Sequence, residues 1–80
     1  MISKEMIKML REIYPKGTRI KLLQMDDQGA PPLGTLGTVR GVDDIGSILV
    51  KWDNGSNLNV IFGVDEVEII PDKADEIAVL

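Results

Sequence analysis

From Gly37 to Gly63 the chain reads GTVRGVDDIGSILVKWDNGSNLNVIFG, two apolar-alternating runs punctuated by short polar turns. Val39 and Val42 lead into Asp43-Asp44-Ile45-Gly46. Ser47–Trp52 then alternates, and Asp53-Asn54-Gly55-Ser56 turns the chain into a run at 57–61. Asn-Gly between alternating runs is a strong hairpin signal, because both central residues of a type I′ turn need φ > 0. Two successive β-hairpins are expected here.

Upstream, residues 4–14 carry a helical pattern. At about 100° per residue, Met6, Ile7, Met9, Leu10, Ile13 and Tyr14 share one broad face, and Lys4, Lys8 and Arg11 align opposite. Ser3 is placed to cap this helix, and Pro15 and Gly17 end it. So short a helix does not persist alone in water and must pack on something. Residues 18–24 follow as a strand, with Ile20 and Leu22 on one face and Arg19, Lys21 and Leu23 on the other. Residues 25–34, rich in Pro and Gly, form a long loop. Further strands are expected at 36–42, 47–53, 57–61 and 66–70.

Five short strands with a long first loop and tight later turns predict a mainly β fold, a small SH3-like five-stranded barrel with an N-terminal amphipathic helix. An OB-fold is the nearest competitor. The expected division is a helix at 1–15 packed on the barrel, the barrel at 16–71, and an acidic and apolar tail at 72–80. The tail could make a helical turn or dock its apolar end.

Composition narrows the chemistry. Eighty residues make one domain with one small core, and 44% hydrophobic content makes folding without a metal or disulfide plausible. With no Cys and no His, disulfides, thiol chemistry, the usual zinc ligands and the usual neutral-pH acid/base are all missing. The opening MISKEMIKML lacks the apolar core of a signal peptide, and no run approaches membrane-spanning length. A soluble, cytoplasmic protein without membrane contact is expected. The net charge of −4 is unevenly distributed: residues 1–40 hold seven Lys/Arg against four Asp/Glu, and residues 41–80 hold two against nine. Two electrostatically different faces would follow, or a basic front half partly paired with an acidic back half.

A family resemblance begins at Tyr14-Pro15-Lys16-Gly17-Thr18-Arg19. It continues through Met25-Asp26-Asp27, Gly34-Thr35-Leu36-Gly37-Thr38-Val39, Gly41-Val42-Asp43-Asp44 and Val50-Lys51-Trp52-Asp53-Asn54-Gly55-Ser56. These segments resemble a small bacterial and phage domain family of unknown function, over roughly residues 14–70. More distantly, VKWDNGS is similar to the SH3-like domain of Mind-bomb-type ubiquitin ligases. The first resemblance implies a setting in bacterial chromosomes, phages or mobile elements and no established activity. The second implies a barrel and, by analogy, protein or peptide binding. Neither supplies catalytic residues.

Candidate sites compete with plainer roles. Trp52 could offer a flat aromatic platform, yet period two places it with Ile48 and Val50 on the face expected to be buried. Tyr14 would bridge helix and barrel, and Phe62 lies outside the alternation and is expected at the surface. The aspartates at 26–27, 43–44, 53 and 65 suit turns better than a calcium or magnesium site, since their spacing fits no calcium loop. Nothing suggests a substrate pocket for a carboxylate pair, so neither enzyme activity nor a cofactor is expected. Lys4, Lys8, Arg11, Arg19 and Lys21 could grip nucleic acid, but with three aromatics in the whole chain, stacking platforms are scarce. The acidic stretch from Asp65 to Glu76 could mimic nucleic acid or simply solubilise.

The leading expectation is a non-enzymatic protein- or peptide-interaction module of a bacterial or phage accessory protein. It would bind through the long loop at 25–34 and the Trp52–Ser56 turn, using Asp26, Asp27, Trp52, Asn54 and Phe62. The alternatives are a nucleic-acid-binding barrel, an acidic inhibitor that mimics nucleic acid, and self-association through the helix face or a strand edge.

Overall fold

The computed structural model describes residues 2–71; the expected tail at 72–80 lies outside the described residues. One helix, α1 (Lys4–Ile13), precedes five strands: β1 (Arg19–Gln24), β2 (Leu36–Val42), β3 (Ser47–Trp52), β4 (Val60–Ile61) and β5 (Glu66–Ile69). The strands form one antiparallel sheet in the order β4-β3-β2-β1-β5.

Helix α1 starts where Ser3 Oγ accepts the Met6 N–H at 3.1 Å and stops where the Tyr14 N–H reaches Leu10 O, just before Pro15. Its buried face is narrower than the sequence pattern suggests. Ile7 and Leu10, three residues apart, enter the core, Met6 and Tyr14 are half-buried, and Met9 and Ile13 are exposed. Around Ile7 and Leu10 the core gathers Ile20 and Leu22 of β1, Val39 of β2, Ile48, Val50 and Trp52 of β3, and Val60 of β4. The β2–β3 contact is intimate at Gly37, which faces Trp52 across the ladder. A Cβ there would lie 2.7 Å from Trp52 Cε3 and 2.8 Å from Val50 Cγ1, so the indole packs in the space a side chain would take.

Both expected hairpins form, with a different turn. No non-glycine residue among those described has φ > 0, so Asn54 does not adopt the left-handed conformation a type I′ turn requires. Instead each loop has three residues and ends in a left-handed glycine: Asp44-Ile45-Gly46 closed by the Asp43 N–H on Ser47 O, and Asp53-Asn54-Gly55 closed by the Trp52 N–H on Ser56 O. Side chains finish the work. Asp43 Oδ1 accepts the Ile45 and Ser47 N–H groups, and Asn54 Oδ1 accepts the Ser56 N–H.

Strand β4 is two residues long, where residues 57–61 were expected. The Trp52 indole N–H donates to Leu58 O at 2.9 Å, so a buried side chain, rather than a ladder partner, takes that carbonyl.

The sheet is curled but open. Opposite edges of a flat five-stranded sheet stand about 19 Å apart. The five Cα steps from Ile61 to Glu66 reach about 17 Å only when fully extended, and here they are folded: the Val64 and Asp65 N–H groups both donate to Ile61 O. The edges are therefore drawn together, yet only an isolated bridge, Phe62 to Asp65, lies between β4 and β5. The closed barrel expected from the sequence is not formed by this hydrogen bonding. What stands is five antiparallel strands in an open sheet with one short N-terminal helix.

Candidate functional site

The open seam is where the surface chemistry collects. Asp65 sits in the turn that joins the two edges, and its Oδ2 accepts the Ile61 N–H at 2.8 Å. Braced by this bond and by the Val64 and Asp65 N–H groups on Ile61 O, the turn holds Phe62 47% exposed and Val64 69% exposed. Behind them is a cleft of about 380 Å³, lined by Leu23, Val60, Phe62, Val64 and Val67 with Asp65 and Glu66 at its polar side. An adjoining cleft of about 360 Å³ shares Val64 and Asp65 and is lined by Met25, Leu58, Asp26 and Asp27. The β1–β5 register slips between Leu22 and Gln24. Leu23, the extra residue at that slip, is exposed and lines the first cleft.

The long loop reaches the second cleft in an ordered way. Met25 is buried, Asp27 Oδ1 accepts the Gly29 N–H at 2.7 Å, and Thr35 Oγ1 donates to Pro32 O at 2.6 Å. The loop is thus tied down by its own side chains, and Leu58 packs close to Gly29.

The expected protein-binding residues separate. Asp26, Asp27 and Phe62 come to the two clefts. Trp52 does not: it is 1% exposed and its only polar atom is bonded to Leu58 O, so it offers no platform to a partner. Asn54 is exposed but spends its carbonyl inside its own turn. Val64 and Leu23 were not singled out from the sequence, and Asp65 was weighed there only as a turn or metal aspartate and as the start of the acidic stretch. Phe62-Gly63-Val64, two apolar residues around a glycine between strands, was the signal that could have found the first of them.

The five basic residues do not make one surface. Arg11 donates to Val42 O and to Asp44 at 3.0 Å. Arg19 grips both oxygens of Asp53, at 2.8 and 2.7 Å, and also donates to Thr38 Oγ1. That fork holds the Asp53 carboxyl below the usual carboxylate range, chiefly by hydrogen bonding, which outweighs the opposing desolvation, with a smaller contribution from the guanidinium charge. The Arg19 guanidinium is correspondingly raised. Lys21 stands in register with Glu68. Lys4 and Lys8 are exposed on α1, whose buried face enters the same core as Ile20 and Leu22. Arg19 and Lys21 alternate with those two residues and face the other side of the sheet.

The aspartates largely serve turns or ion pairs, and no group of three acidic residues among those described could hold a metal ion. Nor is any helix among the described residues long and apolar enough to cross a membrane.

A family model described as a domain of unknown function, DUF4314, matches residues 3–70, which takes in α1 and the whole sheet. The chain belongs to the DUF4314 family. The match agrees with the resemblance to a small family of unknown function and extends it through the helix. No curated protein and no solved structure matches the chain.

Proposed function

We propose that this DUF4314 domain is a non-enzymatic protein-interaction module that binds its partner in the double cleft along the open seam. The observation that carries this reading is the pair of adjoining clefts sharing Val64 and Asp65, with exposed Phe62 at one and the ordered loop residues Asp26 and Asp27 at the other. Isolated exposed apolar residues need no explanation, but clefts that join apolar side chains to charged ones are a usual form of interaction site. The strand order, with β5 returning beside β1 and the edges brought together, supports an SH3-like arrangement, a fold that serves many binding modules. The family resemblance supports an accessory protein of bacterial or phage origin, and the lack of Cys suits a reducing cytoplasm. Against nucleic acid as the partner weigh two arginines engaged by aspartates and a division of the remaining cations between two sides of the sheet.

The test is affinity capture from host lysate, with and without nuclease, using the native chain and Val64→Lys. The expected result is a protein retained equally in both halves by the native chain and lost by Val64→Lys. Retention by both chains, or loss of the captured material on nuclease treatment, would defeat the proposal.

A further inference from the structure

We propose that the natural occupant of the seam is an extended cationic segment of another protein, added as a strand along the free edge of β5. This rests on the reading of the double cleft as the binding surface and goes on to specify the ligand. Strand β5 pairs with β1 along one edge, and among the described residues no ladder occupies its other edge or the outer edge of β4. Such edges carry N–H and C=O groups ready for an incoming strand, while alternate side chains of that strand drop into pockets. The cleft lined by Leu23, Val60, Phe62 and Val67 lies beside β5 and can receive one of them.

Charge selects the kind of strand. Asp26, Asp27, Asp65 and Glu66 line the two clefts, no Lys or Arg among the described residues does, and Glu68 follows along β5. Asp27 and Asp65 each accept a backbone N–H group, and no described hydrogen bond or ion pair occupies Asp26 or Glu66. Two other occupants are disfavoured by the same acids. A second copy joined β5 to β5 would set Glu66 and Glu68 against their own counterparts. The chain's own residues 72–80 bring Asp72, Asp75 and Glu76 against a single Lys73. A strand bearing Lys or Arg at alternate positions, with apolar residues between, meets opposite charge and an apolar pocket together.

The test is a titration of the isotope-labelled full chain, followed by amide NMR. The probe is a capped heptapeptide alternating lysine and valine. Its controls carry glutamate for lysine, or proline for the central valine. The expected result is amide shifts concentrated at residues 25–27 and 62–69. Affinity should fall about tenfold or more with either control, since one reverses the charge and the other removes a ladder donor. It should also fall between about 50 and 300 mM salt, and several-fold in Glu66→Gln/Asp26→Asn, a pair of exposed changes that leaves the fold intact. Equal binding of the glutamate or proline peptide, or shifts centred on the Arg19 side of the sheet, would overturn the inference. So would contacts from Ile77–Leu80 to Val67 in the free chain, or a mass that rises with concentration. No binding at about 1 mM peptide, well above the affinity of a specific site, would also overturn it. In that event Val64-dependent capture of a protein would still support the cleft as an interaction surface.

Discussion

The turn at 43–46 and the turn at 61–65 are built from similar parts. In each, an aspartate carboxylate accepts a backbone N–H, and a glycine takes the left-handed region, Gly46 at φ 84° and Gly63 at φ 85°. After the first, β2 and β3 pair from Val42 and Ile48 back to Gly37 and Trp52, and the residues between them fill the core. After the second, β4 and β5 do not pair; Phe62 and Val64 stay at the surface, as Ile45 does in the first turn. The difference teaches that the seam is not a poorly built hairpin. Its turn is closed by the Val64 and Asp65 N–H groups on Ile61 O and by the Ile61 N–H on Asp65, so Phe62 and Val64 sit on a bonded turn.

The sharpest way to break this comparison is to truncate one aromatic from each region. Trp52→Ala should cost about 3–5 kcal/mol, through lost burial and a residual cavity, read by urea denaturation. Phe62→Ala, at the surface, should change stability by within about 0.5 kcal/mol. Equal losses would mean that the seam belongs to the core.

Adding one methyl at the tight ladder position is the next test. Gly37→Ala places a Cβ against Trp52 and Val50 and should destabilise by about 1–3 kcal/mol. An unchanged melting temperature would show that β2 and β3 are less closely packed than described.

Smaller again is the effect of the turn carboxylate. Asp43→Ala removes the acceptor for two N–H groups and should cost about 1–2 kcal/mol. Asp27→Ala, which removes one exposed acceptor, should cost less. A larger loss at Asp27 would reverse the ranking.

The smallest expected effect belongs to the Arg19–Asp53 pair, on the side of the sheet away from the core. The folded-state carboxyl of Asp53 is depressed, so its contribution is present above the ordinary carboxylate range and is lost as pH falls through the folded value. Arg19→Gln should lower stability slightly at neutral pH and converge with the native chain in acid. Parallel pH profiles for the two chains would remove the pair from the account.

The sequence made the helix, the strands and the long loop legible because their signals are local: alternation, Ser3, Pro15 and the Asp and Gly residues of the turns. It was less informative where distant groups meet. The short β4 depends on the Trp52 indole reaching Leu58 O, and the exposed Met9 and Ile13 depend on how much of α1 the small sheet can cover. Of the expected binding residues, Asp26, Asp27 and Phe62 reach the clefts, because loop and turn positions stay at the surface. Trp52 followed its strand alternation inward. Leu23, Val60, Val64 and Val67 become one cleft wall only when the curled sheet brings its edges together, and no local pattern announces that.

The most direct test of the central claim is paired measurement on Val64→Lys: thermal stability and capture of the lysate partner. The account predicts an unchanged melting temperature together with loss of the partner. A partner held as tightly as by the native chain would contradict the assignment of the seam as the binding surface.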